Sequence, residues 1–139
     1  MEAFSENWAR SWGQALNGDP AFRAAATTWA GDVTLVMTQS SAPQAPFQAV
    51  RVEIRHGECL IFQPVAEAEL AESGYVLTGT GSAWRELLSG RQNPLTALMT
   101  GKIRLTKGSL VALMPHAAMA RELIRLAIEM NATIPEGWG

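Results

Sequence analysis

The chain of 139 residues has one cysteine, Cys59, and two histidines, His56 and His116. A single thiol excludes an intramolecular disulfide, so a packed core must hold the fold. Aspartate occurs only at Asp19 and Asp32. Ligands this few, scattered and without a metal-binding spacing, make a metal centre unexpected. No stretch reaches the roughly 18 consecutive apolar residues of a membrane span, so membrane contact is expected to be transient at most. Basic residues number 11 against 13 acidic ones, a formal charge of −2, which lacks the basic stripe of a nucleic-acid binder. The opening MEAFSENWARSW has no basic patch followed by an apolar run, so no export leader is expected. With the lone thiol, this points to a cytoplasmic setting.

Reactive chemistry is equally sparse. Hydrolysis needs a nucleophile held near a base. Cys59 falls in a strand two residues past a turn glycine, where a small packed hydrophobe is the ordinary reading. Glu67, Glu69 and Glu72 cluster as a solvated surface. GTGSAW, from Gly79 to Trp84, follows a strand and opens a helix. It carries Trp84 where a dinucleotide fingerprint needs its third glycine, and no aspartate follows Asp32 to hold a ribose. No cofactor is expected.

What the chain does have is apolar surface. Hydrophobic residues make up 47% of it, ordinary for a packed globule. The length suits one domain over residues 1–139, able to bury about two-thirds of its unfolded surface. Ser5 to Leu16 shows helical spacing of Trp8, Trp12 and Leu16. Asp19 and Pro20 open a second helix that turns Phe22, Ala25, Ala26 and Trp29 inward. Val33, Leu35 and Met37 then alternate with Thr34, Val36 and Thr38. In the next strand Val50, Val52 and Ile54 face one way and Arg51, Glu53 and Arg55 the other, so one side of the sheet is expected to be wet. His56-Gly57 is a tight turn into a third strand, Glu58 to Gln63. An alanine- and glutamate-rich crossover leads to a fourth strand, Tyr75 to Thr80. Ser82 is expected to cap the following helix. Asn93-Pro94 starts a short one with Leu95, Leu98 and Met99 inward, before a fifth strand around Ile103 and Leu105. The pattern predicts an α+β domain with a mostly antiparallel sheet.

The last helix, HAAMARELIRLAIEM, is apolar except for a narrow stripe of Arg121, Glu122, Arg125 and Glu129. An ordinary surface helix shows an apolar face of only about 100° or slightly more. The surplus must be covered by a second layer, a partner chain or a greasy ligand.

The stretch WRELLSGRQNPLTALMTGKIRLTKGSLVALM, Trp84 to Met114, resembles the sterol carrier protein type 2 family. The residues that carry the likeness are Trp84, Leu87, Leu88, Ser89-Gly90, Asn93-Pro94, Ala97, Met99-Thr100-Gly101-Lys102 and the strand Ile103 to Leu105 closed by Lys107-Gly108. The match runs from about Tyr75 to Met114; elsewhere the order of elements agrees. The resemblance implies five strands with helices on one face, enclosing a hydrophobic tunnel. It also implies a non-catalytic protein that binds a fatty acid, acyl-CoA or sterol- or hopanoid-like lipid and transfers it. The implied tunnel wall draws on Val52 and Ile54 of the second strand, Phe62 of the third, and Ile103 and Leu105 of the fifth. The helices would add Trp84, Leu88, Leu98, Met99, Leu113, Met114, Met119 and Leu123, with the last helix as a lid weakened at Pro115. Lys102, Arg104, Arg121 and Arg125 are candidates for meeting a charged head.

The chain departs from better-known members in ending EGWG rather than in a peroxisomal tripeptide, and in a tryptophan-rich N-terminal helix pair expected to occupy part of the cavity. Trp138 of the tail is expected to lie across its mouth. Two rival uses of the same fold are a homodimer built on the last helix and a small lipid-modifying enzyme relying on His116 or Cys59.

Overall fold

The computed structural model describes residues 1–138. Helix α1 spans Glu6–Gly18, with Ser5 capping it by accepting from the Trp8 N–H. Asp19 ends α1 and caps α2, Pro20–Ala25, where Pro20 costs nothing because a first-turn N–H has no helical partner. Strands β1 (Ala30–Thr38), β2 (Phe47–Arg55) and β3 (Glu58–Pro64) follow as antiparallel neighbours. Both residues of the β2–β3 turn have positive φ, 50° at His56 and 87° at Gly57. That is the conformation whose twist matches a tight hairpin.

After α3 (Glu67–Leu70), β4 (Tyr75–Thr80) returns beside β1 and parallel to it. Helices α4 (Gly81–Leu88) and α5 (Pro94–Met99) precede β5 (Arg104–Lys107), which pairs antiparallel with β4. The strand order is β3-β2-β1-β4-β5. The sheet is therefore mixed, with a single parallel pairing at its centre. The chain ends in α6 (Leu110–Leu113), a 3₁₀ turn at Met114–His116 and α7 (Ala117–Glu129). Pro115 sits in the 3₁₀ turn and separates the two helices.

The main core lies between one face of the sheet and α1, α2, α4, α5 and α7. Val33, Leu35 and Met37 of β1 and Val50, Val52 and Ile54 of β2 point into it. The opposite face is not simply wet. Val36, Ala49 and Val76 form a second small cluster against Val65 and Leu70, so α3 and its flanks cover part of that face. Ser73, just after α3, hydrogen-bonds Thr34 there. This is why β1 is buried on both faces from Val33 to Met37 instead of alternating. Beside it the Arg51 guanidinium lies 3.0 Å from the Asp32 carboxylate, largely shielded from solvent.

Three local expectations are corrected. Thr80, not Ser82, caps α4, accepting from the Ala83 N–H. Met99 is 74% exposed and Leu95 is also exposed; Ala97 takes the buried position of α5. A helix of one and a half turns can point only a narrow strip inward, and Ala97 with the half-buried Leu98 fills it. The tail does not cross the cavity mouth. Trp138 packs at the start of α4, where a Cβ on Gly81 would collide with the Trp138 carbonyl.

Candidate functional site

An apolar cavity opens between the sheet and the α4–α7 layer. Alternate residues of two strands make its floor: Val33 and Leu35 from β1, Tyr75 and Leu77 from β4. The parallel register pairs Val33 with Tyr75 and Leu35 with Leu77, so the four side chains form one patch. Trp84 and Leu87 of α4, Leu98 of α5, Ile103, and Met119, Leu123 and Ile124 of α7 make the walls, and Trp12 of α1 closes one side. The Trp84 indole donates to the Val36 carbonyl at 2.9 Å, which ties it to β1.

This inner cavity measures about 50 Å³. An outer chamber of about 180 Å³ shares Pro94, Leu98, Leu113 and Ala120 with it and lies between α5, α6 and the start of α7. Asn93 and Arg121 bring the polar side chains to the lining of the outer chamber. Arg121 has no ion pair or side-chain hydrogen bond among the described residues.

The two ends of α7 are held differently. Its C-terminal half is clamped to the N-terminal helices. Trp12 Nε1 donates to the Leu123 carbonyl at 3.0 Å, and Arg125 reaches Asp19 at 2.7 Å, Glu122 at 2.6 Å and Glu129 at 2.6 Å. Those three carboxylates raise the Arg125 pKa further above its ordinary value. The surplus apolar surface of α7 is thus covered inside the chain, by α1, α2, α4 and α5. At the other end, α6 and the 3₁₀ turn leave Leu110, Val111 and Met114 exposed, and His116 meets Trp29 edge-on at 4.9 Å between ring centres.

Of the residues expected in the tunnel wall, Trp84, Leu98, Ile103, Leu113, Met119 and Leu123 line the inner cavity, and Met114 lines the outer chamber. The others lie elsewhere. Val52 and Ile54 are buried in the core, and Phe62 packs beneath α1, where Gly13 leaves no room for a Cβ. Leu88 borders a shallow groove with Asn131 to Ile134. Leu105 stays half-buried at the sheet edge and Met99 faces solvent. Sequence reasoning omitted Trp12, Val33, Leu35, Tyr75, Leu77, Leu87, Pro94, Ala120 and Ile124 from the wall. Alternation in β1 and β4 marks the face of the strand residues, but only the β1–β4 pairing puts them together.

Cys59, His56 and His116 stand outside the cavity lining. Burial pushes the Cys59 thiol up to about 12, leaving it a poor nucleophile. Asn17 holds the backbone around it, donating to the Cys59 carbonyl and accepting from its N–H. The His56 Nδ1 lies 3.0 Å from the Thr27 carbonyl, in the β2–β3 turn. Among the described residues no cluster of His, Cys, Asp and Glu is suited to a metal ion. Among the described residues no helix is long and apolar enough to cross a membrane.

No family model and no curated protein matches the chain. Solved structures do. A crystal structure of sterol carrier protein 2 is 36% identical, with a TM-score of 0.81 over 92% of this chain and 98% of that one. The chain belongs to the sterol carrier protein 2 family. A conserved hypothetical protein from Thermus thermophilus, solved in solution, is also 36% identical, with a TM-score of 0.79 over 99% of this chain and 94% of its own. The N-terminal helix pair therefore falls inside the matched region and is no addition relative to that protein. Sterol Carrier Protein 2 from Yarrowia lipolytica, in its apo form, shares the fold at 14% identity and a TM-score of 0.51, over 88% and 84% of the two chains. Within the sterol carrier protein 2 family fold, the Trp12 clamp, the two-chamber cavity and the exposed α5–α6 rim are what this chain's own side chains build.

Proposed function

We propose that this chain is a non-catalytic carrier that binds the hydrocarbon part of a lipid in the two-chamber cavity and passes it on. The observation that supports the reading is a carbon-lined cavity that shares Pro94, Leu98, Leu113 and Ala120 with an outer chamber between α5, α6 and α7. Sheltering methylenes from water yields roughly 0.8 kcal/mol each. A dozen of them supply about 10 kcal/mol, enough to offset much of the roughly 4–15 kcal/mol that association costs. A fatty acid, acyl-CoA or sterol- or hopanoid-like molecule fits this chemistry, with any charged head left at the mouth near Arg121.

The chambers are small beside the roughly 300–1,000 Å³ of ordinary ligand sites. Uptake therefore requires α6, the 3₁₀ turn and the first turn of α7 to swing outward, while the Trp12 and Arg125 contacts hold the rest of α7. Wall residues move apart in that motion; no group in the lining is placed to make or break a covalent bond. The single free thiol is in keeping with work in the cytoplasm.

The test is native mass spectrometry of the protein purified from its own host, followed by solvent extraction. A bound lipid of defined mass that fluorescent fatty acid displaces is the expected result. A protein with no extractable lipid that also fails to take up fluorescent fatty acids or sterols would overturn the reading.

A further inference from the structure

Four aromatic rings form a chain behind the inner cavity. Phe4 stacks on Trp8 with ring centres 5.3 Å apart and meets Trp84 edge-on at 5.4 Å. Trp8 in turn stacks on Trp12 at 5.0 Å. Trp84 and Trp12, the two ends of the chain, line the inner cavity, whereas Phe4 and Trp8 stand outside its lining. Phe4 therefore backs one ring of the wall directly and the other through Trp8. It is delivered by residues 1–5, a strap that precedes α1 and lies against Thr133. The Ala3 N–H donates to the Thr133 carbonyl at 2.8 Å, and the Thr133 N–H to the Met1 carbonyl at 3.0 Å.

Two features here carry a cost. Phe4 has a φ of 67°, in the left-handed region that a bulky side chain seldom enters. The Trp8 Nε1 is buried with no hydrogen-bond partner among the described residues. A segment held in a costly backbone conformation, beside an unsatisfied donor, loses less by leaving than ordinary core does.

We propose that the strap is a movable stopper: Phe4 seated against Trp84 confines the cargo to a slim hydrocarbon chain, and its withdrawal admits a fused-ring lipid. A cavity of roughly 150 Å³ takes one benzene ring. The inner cavity measures about 50 Å³, so a ring system needs a displaced side chain. The anchored half of α7 does not supply that room, because Trp12 holds it at Leu123. Withdrawing Phe4 relaxes the backbone at residue 4, opens its ring's space behind Trp84 and lets water or a cargo hydroxyl reach the Trp8 N–H. Phe4 is thus a specificity-determining residue. The proposal rests on the carrier reading and adds the cargo shape that the closed form selects.

The experiment measures Kd for a linear polyene fatty acid and for a fluorescent sterol, in the intact parent and in Phe4→Ala, each first checked for native circular dichroism. Phe4→Ala should bind the sterol at least about fivefold more tightly, the low end of what relief from overpacking gives, and the fatty acid within about twofold of the parent. Hydrogen exchange without ligand should show the Ala3 and Thr133 amides opening together, at least about tenfold faster than those of β1. If Phe4→Ala does not fold, Glu2→Cys with Thr133→Cys serves. Bridged strand neighbours lie about 4.8 Å apart, within the roughly 4.4–6.8 Å that a disulfide spans, and Cys59 is buried. The oxidised pair should bind the sterol at least about tenfold more weakly than the reduced pair and keep the fatty acid. An unchanged sterol-to-fatty-acid ratio in Phe4→Ala, sterol binding that survives the oxidised lock, or strap amides that exchange only with global unfolding would each overturn the stopper. A parent that binds the fatty acid while that ratio stays fixed sinks the stopper alone. A parent that binds neither probe and yields no lipid sinks the carrier reading and the stopper together.

Discussion

The indole N–H of Trp12 in α1 donates to the main-chain carbonyl of Leu123 in the middle of α7, at 3.0 Å in the buried core. Trp12 and Leu123 also share the wall of the inner cavity. One contact thus closes the cavity on that side and fastens the helix that covers it. With Arg125 bound to Asp19 close by on the same helix, it divides α7 into an anchored half and a half next to the mouth.

Replacing Trp12 by Phe removes the donor and part of the wall. A buried hydrogen bond contributes about 1 kcal/mol and the lost ring area adds to it. Stability should fall by about 1–3 kcal/mol, read from urea unfolding. Hydrogen exchange should quicken across Leu123 to Arg125. Unchanged exchange there would show that the clamp does not hold α7.

Gly13 lets α1 lie against β3. A Cβ at that position would sit 2.1 Å from Phe62 Cγ and 2.7 Å from its Cβ. Because the clash reaches the root of the side chain, a rotamer change does not relieve it. Gly13→Ala should therefore cost about 1–3 kcal/mol, despite the roughly 1 kcal/mol by which alanine favours a helix over glycine. Combined with Phe62→Ala, the Gly13→Ala substitution should cost less than it does alone. Simple additivity of the two unfolding free energies would count against this contact.

Ala120 lines both chambers. Ala120→Phe places a ring in the wall they share. Uptake of a fluorescent fatty acid should drop at least about tenfold, since a clash replaces apolar burial. Thermal unfolding should shift by only a few degrees. Leu98→Trp enlarges another side chain that lines both chambers and serves if Ala120→Phe does not fold. Full uptake by a folded plug variant would move the cargo site elsewhere.

The Phe22 N–H first, and then the Arg125 guanidinium, hold the Asp19 carboxyl below its ordinary value of 3.8. A depressed folded pKa means that the unfolded chain takes up the proton more readily. The stability due to this charge is therefore complete above about pH 3.8 and lost as pH falls through the lower folded value. Asp19→Asn should lower the urea midpoint at neutral pH, and its gap from the parent should narrow on acidification below that point. A constant gap across the acid range would refute the role of the charge.

Much of the fold was legible in local chemistry. Ser5, Asp19 and Asn93 mark helix starts because their side-chain oxygens satisfy first-turn N–H groups. His56-Gly57 marks a hairpin because two residues there must take positive φ. Alternation placed Val50, Val52 and Ile54 on the core face. The expectation of a wet opposite face went astray at Val36, because the crossover folds α3 over that side. Met99 was misplaced because hydrophobicity alone does not say which side of a short helix is inward.

By itself, then, the sequence determined the elements, their caps and turns, and a large stock of apolar surface with almost no chemistry attached. Those features depend on neighbours a few residues away, through backbone hydrogen bonding and side-chain period. Only the tertiary structure decided that β4 pairs with β1, that Trp12 reaches Leu123, and that the α7 surplus is covered from within. The Trp12–Leu123 contact joins residues 111 positions apart, and no local pattern records which distant apolar faces will meet. The cavity exists because side chains from α1, α4, α5 and α7 converge on the β1–β4 floor without filling the space between them.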